Sequence, residues 1–155
     1  MKTIPMLILC LLGLISCQYD PHGWLLTTTE PMREDVIGTY VLDRIDLTQN
    51  MNEHSINITV ELRADGTFTA INVPPQMDFF PKSDLLSVFV RGAGKWEIGK
   101  TGTLDPGSRP IWGVYLRDSS TKLLPPNFTS EKKPYGLIFQ LGDPDSGDAI
   151  LLKKQ

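Results

Sequence analysis

The sequence contains few of the side chains that bind transition metals or form disulfides. Its 155 residues include two cysteines, Cys10 and Cys17, and two histidines, His22 and His54. The C-x-x-C and H-E-x-x-H patterns of zinc sites are absent from it. Because both cysteines lie near the N-terminus, we expect the folded domain to have no disulfide, no transition-metal site and no cofactor.

Charge of one sign is not in large excess either. The chain has 15 lysines and arginines and 18 aspartates and glutamates, which gives a net charge of −3. Nucleic-acid-binding domains carry a basic patch, and peripheral proteins that bind anionic lipid carry a polybasic segment. The sequence has neither, so we expect no nucleic-acid partner.

Sequence motifs of common enzyme classes are missing as well. The chain has no G-x-S-x-G elbow, no P-loop and no G-x-G-x-x-G after a strand. A Ser–His–Asp triad is assembled from distant residues and would have to recruit His54, which lies in a polar stretch and is interpreted as a solvated loop residue. We therefore expect the protein to act by binding and not to be an enzyme.

Three aspartates near the C-terminus invite a calcium interpretation. Asp143, Asp145 and Asp148 lie close together in residues 142–148, but Pro144 and the missing final glutamate depart from the EF-hand pattern. Asp and Gly also supply the geometry of a tight turn. We favour the turn and expect no metal site.

The one long apolar run is N-terminal. Residues 4–15 are apolar apart from Pro5 and Gly13, and Lys2 precedes them. About a dozen apolar residues are too few to cross a bilayer, which needs roughly 20, but they suit a secretory signal peptide. We assign residues 1–16 to this leader. Its removal takes away one positive charge.

The end of the leader, Leu14-Ile15-Ser16-Cys17, resembles the lipobox of bacterial lipoproteins. The resemblance implies cleavage before Cys17 and acylation of this residue with chains such as palmitate. It therefore implies a lipid-anchored protein of the cell envelope. Gln18 stands where an aspartate would favour inner-membrane retention, so the outer membrane is expected if the host is Gram-negative. The alternative is a eukaryotic signal peptide, which two N-glycosylation patterns, Asn57-Ile58-Thr59 and Asn127-Phe128-Thr129, mildly favour.

Residues 17–34 have no hydrophobic period and contain prolines and glycine, which is typical of a membrane tether. Trp24-Leu25-Leu26 is the exception in this segment. Its apolar side chains either pack on the domain as an N-terminal strap, which we favour, or enter the membrane interface.

Residues 35–155 show strand patterns. Residues 56–62 and 67–73 alternate apolar and polar side chains around Asp65-Gly66, which is a strong hairpin signal. About eight short antiparallel strands favour an all-β, up-and-down barrel, with a β-sandwich as the alternative. The other predicted strands are residues 38–45, 88–98, 101–104, 111–117, 135–141 and 149–153.

Short segments of this domain resemble lipocalins. Gly38-Thr39-Tyr40 is similar to the Gly-x-Trp that opens lipocalin barrels, with Tyr in place of Trp. Residues 62–68, 94–98 and 141–148 resemble segments of small bacterial lipocalin-like lipoproteins. The resemblance implies a lipocalin-like barrel, whose relatives bind small hydrophobic ligands or inhibit enzymes. Fold alone does not decide between these functions.

The loop from Pro74 to Pro81 is the segment most open to a functional interpretation. It is apolar and stiffened by proline, and it contains Met77, Phe79 and Phe80. These side chains could line a ligand portal, anchor a protein partner or plug the barrel, whose interior at eight strands is just wide enough to be filled.

Aromatic residues on predicted strands complete the candidate site. Phe68, Trp96, Trp112 and Tyr115 belong either to the core or to the lining of a ligand cavity. We expect a lipid-anchored envelope protein that binds a small apolar or amphipathic ligand. The alternative is a protein–protein interaction module, such as an inhibitor or an immunity-like lipoprotein, that uses residues 74–81.

Overall fold

A closed eight-stranded barrel is the main feature of the computed structural model, which describes residues 20–48, 56–77, 80, 85–104, 109–118 and 120–155. Each strand pairs antiparallel with its neighbours in sequence, and the last strand pairs with the first. The all-β, up-and-down barrel is confirmed, and the sandwich alternative is wrong. The strands are β1 (Gly38–Asp46), β2 (Thr59–Leu62), β3 (Thr67–Val73), β4 (Val90–Thr103), β5 (Pro110–Asp118), β6 (Asn127–Thr129), β7 (Gly136–Gln140) and β8 (Ala149–Lys154).

Among the residues that the structure describes, helix is confined to short pieces. One α-helical turn, α1 (Arg33–Val36), precedes β1, and 3-10 turns occupy Gly23–Leu25, Leu85–Val88 and Pro144–Ser146. In the described parts of the chain, no helix has the length and apolarity needed to cross a membrane.

The predicted hairpin of β2 and β3 is confirmed. Gly66 has φ +81°, a left-handed conformation that suits glycine. The main-chain N–H of Arg63 donates to the carbonyl of Thr67 at 2.9 Å, and the Asp65 carboxylate accepts from the N–H of Thr67 at 2.8 Å. The Asp-Gly pair therefore sets this turn, as its sequence indicates.

Two strand predictions needed correction. The strands predicted at residues 88–98 and 101–104 are one long strand, β4, which runs from Val90 to Thr103 with a register shift between Lys100 and Gly102 instead of a break. Gly94 permits close contact with β5, because a Cβ atom there would lie 2.1 Å from the carbonyl oxygen of Arg117. The short strand β6 is absent from the strands predicted by the sequence.

The barrel interior is filled by side chains from all eight strands. Tyr40, at the position that resembles the lipocalin Trp, is fully buried, and its hydroxyl donates to the carbonyl of Val36 at 2.6 Å. Burial raises the pKa of this phenol above its ordinary value. Helix α1 thus lies beside the core at the end where β1 begins. The other strand residues in this cluster are Val60, Leu62, Phe68, Ala70, Val73, Trp96, Val114, Leu116, Phe128, Leu137, Phe139, Ile150 and Leu152.

Within the predicted tether, residues 20–29 pack on the outer wall of the barrel and do not form a free linker. We call residues 20–29 the strap. Leu26 is 2% exposed and Thr27 is fully buried. Leu26 joins Ile138 of β7 and Leu151 of β8 in a second apolar cluster. These two strand residues alternate with core residues, so the cluster lies outside the barrel. Burial of this outer apolar stripe explains why the strap is ordered.

The strap also completes the wall between β5 and β6. These strands pair at one position, Gly113 with Asn127. Beyond it, the main-chain N–H of Trp112 donates to Thr27, and that of Thr27 donates to Phe128, both at 3.0 Å. The strap therefore satisfies backbone groups that the neighbouring strand does not reach.

Candidate functional site

Two loops meet at the end of the barrel where β3 and β5 finish. Pro75 and Leu123 form an isolated antiparallel bridge. The main-chain N–H of Gln76 donates to Lys122 at 2.9 Å, and that of Leu124 donates to Pro74 at 3.1 Å. We call residues 74–77 and 121–125 the two-loop platform. These main-chain hydrogen bonds pair the two segments antiparallel, as in a short β-hairpin, and so fix the backbone of the platform.

The platform has a buried side and an exposed side. Leu123 is 5% exposed and belongs to the barrel core. It packs over Gly92, where a Cβ atom would lie 2.6 Å from Leu123 Cδ1. Met77 is 38% exposed, and Gln76 and Lys122 are also exposed. The platform is therefore rooted in the core and presents a polarizable apolar side chain beside polar ones.

Asp118 fixes the start of the second loop. Its carboxylate accepts from the N–H of Ser120 at 2.6 Å and the hydroxyl of Ser120 at 2.7 Å, and from the N–H of Ala93 at 2.8 Å. The main-chain hydrogen bond from Ser120 has the largest effect on the pKa of Asp118, followed by the bond from its hydroxyl. Together they lower this pKa to about 2, although desolvation acts to raise it. Since Ala93 belongs to β4, this ionised carboxylate also holds the loop to the neighbouring strand.

Phe80 lies 8% exposed in the core cluster. Among the three interpretations of residues 74–81, its position favours the plug. Phe79 lies outside the described residues, as do Cys17 and His54. The predictions on those three residues stay predictions.

Phe68 and Trp96 contribute to the filled interior. Phe68 is 1% and Trp96 is 3% exposed. The indole N–H of Trp96 donates to the carbonyl of Arg63 at 2.9 Å, and the Arg33 guanidinium carbon lies 3.9 Å from the ring centroid. The chain itself thus supplies partners for both the polar edge and the face of this indole.

Trp112 and Tyr115 lie on opposite faces of β5. Trp112 is half-buried against the core, with the Lys100 ammonium 5.7 Å from its ring centroid. Tyr115 alternates with the core residues Val114 and Leu116, so it faces outward. Its hydroxyl donates to the carbonyl of Lys100 at 2.6 Å. The prediction that Tyr115 lines the interior is therefore corrected.

A histidine–carboxylate pair pins the strap to β1, which the sequence does not indicate. His22 is 7% exposed, and its Nε2 lies 3.0 Å from Asp46 Oδ2. Burial acts to raise the pKa of Asp46, but hydrogen bonds from His22 and Arg44 outweigh it and leave the pKa lowered. His22 thus has a structural role, because it joins the strap to a strand residue that lies 24 positions away in sequence.

A chain of side-chain hydrogen bonds extends from the strap across the outer wall. Gln140 donates to Asp20 at 2.9 Å and accepts from Asn127 at 3.0 Å. The Thr101 hydroxyl donates to Asn127 at 2.5 Å. These bonds connect the strap to β7, β6 and β4, and they fix where the chain enters the domain.

The aspartates of residues 142–148 build a turn, as predicted. Asp143 accepts from the N–H of Asp145 at 3.0 Å, and Gly147 has φ +74°. Asp148 accepts from the N–H and the hydroxyl of Thr48, at 2.7 and 2.8 Å. Within the described ranges, no group of three or more His, Cys, Asp or Glu side chains is placed to hold a metal ion.

Comparisons with known proteins add no relative. No protein-family model matches the chain, and searches of curated proteins and of solved structures return no match.

Proposed function

We propose that the protein is a lipid-anchored binding protein of the cell envelope that presents its two-loop platform to a protein partner. The pinning of residues 74–76 to residues 122–124 by main-chain hydrogen bonds is the observation that supports this function. A backbone that is already held in one conformation loses little conformational entropy on association, so even a small surface can bind a partner with appreciable affinity.

The occupied interior favours this function over ligand binding inside the barrel. Tyr40, Phe68, Phe128 and Phe139 are among the largest fully buried side chains, and Phe80 joins the same cluster from the loop. In this proposal the barrel is a scaffold, and binding occurs at its surface. No step of the proposal requires catalysis.

Met77 is the side chain that we expect to contact the partner. It is exposed on the platform, and methionine adapts to apolar surfaces of different shapes. A photo-crosslinking amino acid at position 77, in the full chain expressed in its own host, should yield one recurrent protein adduct. The same probe at Met32, which is 66% exposed away from the platform, should not. Equal adducts at both positions, or none at position 77, would contradict the proposal.

The matched charge variants sharpen this test. Met77→Lys should abolish the adduct formed from a probe at Gln76, because an ammonium would have to be desolvated at the contact. Met32→Lys should leave that adduct unchanged. Both methionines are exposed, so neither variant is expected to alter stability much.

A small amphipathic anion is the second candidate partner. It is favoured by Trp112, which is half-buried on the inward side of β5 with the Lys100 ammonium above its ring. Native mass spectrometry of the gently purified chain should then detect a small adduct that Trp112→Ala and Lys100→Ala remove. Tyr115→Ala, on the outer face, is the control and should retain it. A bare mass would count against this candidate.

The lipid anchor rests on the lipobox resemblance at Cys17. Chain purified from host membranes should have the mass of residues 17–155 plus diacylglycerol and one acyl chain, and Cys17→Ser should release the protein from the membrane. If the measured mass showed that Cys17 is not acylated, the proposed location in the cell envelope would be contradicted.

A further inference from the structure

Trp24 is the most exposed large apolar side chain of the strap. It is 78% exposed, although it precedes the half-buried Leu25 and the buried Leu26. It lies in the 3-10 turn Gly23–Leu25, where the N–H of Leu25 donates to His22 at 2.9 Å. The turn therefore directs two of three successive apolar side chains towards the barrel and the third towards solvent.

This exposure is fixed by the fold. The carbonyl of Leu25 accepts from the N–H of Ser130 at 2.8 Å on one side of Trp24. On the N-terminal side of Trp24, the buried His22 ring is hydrogen-bonded to the carboxylate of Asp46. Tryptophan has about 150–250 Å² of surface to bury and favours the boundary between apolar and aqueous phases. A rigid backbone that holds this side chain outward suits contact with such a boundary.

Covalent geometry limits the distance between Trp24 and Cys17. The three residue steps from Cys17 to Asp20 span at most about 11 Å. The N–H of Gly23 then donates to the carbonyl of Asp20 at 3.1 Å, so the chain turns at once. At roughly 2 Å per residue, the next four steps add about 8 Å. An acylated Cys17 would thus hold Trp24 within about 20 Å along the chain, close enough for its indole to reach the headgroups.

Charge limits the kind of contact. The strap contains no lysine or arginine, and the whole chain has a net charge of −3. Attraction of this segment to anionic lipid is therefore weak. Contact with a bilayer would depend on burial of the indole and would be insensitive to salt.

We propose that Trp24 is a second membrane contact, which inserts into the phospholipid headgroup region beside acylated Cys17 and turns the strap side of the barrel towards the bilayer. This inference rests on the proposed lipid anchor. It deepens the anchor, because it predicts an orientation as well as an attachment.

The test uses the mature chain with Cys17 coupled through maleimide to a lipid in phosphatidylcholine vesicles that contain brominated phosphatidylcholine. Tryptophan emission of the wild type should be partly quenched, and Trp24→Ala should lose the quenched component. Trp96 and Trp112 remain as unquenched reporters of the folded barrel, since they pack in or against its core. Met32→Ala, which removes another exposed apolar side chain, should quench like the wild type, and 1 M salt should change nothing.

Three results would overturn the inference: equal quenching in the wild type and Trp24→Ala, quenching lost in high salt, or a concentration-dependent dimer that buries Trp24 between two copies in the absence of lipid. The mass of the native chain separates the two proposals. An unacylated Cys17 would defeat the anchor and, with it, the native role of Trp24. An acylated chain with unquenched Trp24 would defeat the orientation alone.

Discussion

The main-chain N–H of Trp112 donates to the carbonyl of Thr27 at 3.0 Å, which makes the N-terminal strap part of the barrel wall. Thr27 in turn donates its own N–H to Phe128, so it bridges β5 and β6 where the two strands do not pair directly. The strap therefore has a structural role, although its composition is typical of a linker. It adds main-chain hydrogen bonds to the wall between β5 and β6. In the proposed function it also connects the barrel directly to the membrane anchor.

Thr27→Val should lower the free energy of unfolding by about 1–2 kcal/mol. The change keeps the side-chain shape but removes the hydroxyl, which donates to the carbonyl of Ser130 at 2.5 Å in a fully buried position. Losing the hydrogen bond of a fully buried hydroxyl costs about this much. Urea unfolding monitored by circular dichroism measures the loss. Thr103→Val, at an exposed position of β4, is the control and should change stability little. Equal effects would argue against a structural role for the Thr27 hydroxyl.

Trp96→Phe should be more destabilising than Trp112→Phe, by about 1–2 kcal/mol. The first change removes the indole donor to the carbonyl of Arg63 and leaves unfilled space in the core. Trp112 is only half-buried. A double-mutant cycle with Arg33→Ala should give a coupling of about 0.5–1 kcal/mol for Arg33 and Trp96, as expected for a cation–π contact with an exposed arginine. A coupling of zero would show that this contact adds nothing to stability.

Gly66→Ala should destabilise the β2–β3 hairpin by about 1–2 kcal/mol. Gly66 has φ +81°, and an L side chain in the left-handed region costs about this amount. Gly102→Ala is the matched control, because a Cβ atom there would make only an ordinary contact at 3.6 Å with Ile111. Thermal unfolding of both variants compares them directly. Similar melting temperatures would contradict the assignment of Asp65-Gly66 as the turn that fixes this hairpin.

Local signals explain which parts of the fold the sequence predicts. The β2–β3 hairpin depends on alternation and on Asp65-Gly66, which lie within one short stretch, and its prediction is confirmed. Strand β6 has three residues, and β7 and the strap flank it, so its pairing depends on distant segments. No periodicity in three residues can indicate such a strand.

The candidate site shows the same division. The outward direction of Tyr115 follows from the register of β5, in which Val114 and Leu116 face the core. Alternation along β5 is enough to indicate this register from the sequence, because Tyr115 lies between two apolar residues and so points the other way. The contact between His22 and Asp46 could not have been inferred, because it depends on how the strap crosses the outer wall. The platform bonds between residues 74–76 and 122–124 likewise join segments that are distant in sequence.

Acid should weaken the barrel partly through Asp118. Its pKa is about 2 in the folded protein, below its ordinary value of 3.8, because Ser120 and Ala93 donate hydrogen bonds to the ionised form. A lowered folded-state pKa contributes stability above pH 4, and this contribution disappears as the pH falls from about 4 to about 2. Asp118→Asn should therefore be less stable than the wild type at pH 7 and should lose less stability over that acid range.

Urea unfolding at pH 7, 4, 3 and 2 measures this difference. Glu34→Gln, at an exposed position of α1, changes the net charge equally and should keep the acid dependence of the wild type. If Asp118→Asn and the wild type lost stability in parallel below pH 4, the hydrogen bonds from Ser120 and Ala93 would not depend on the ionised carboxylate.

The same variant also tests the platform, since release of its second loop from β4 should weaken crosslinking at Met77. A stable Asp118→Asn barrel with unchanged crosslinking would mean that the bonds to residues 74–76 hold the loop without Asp118.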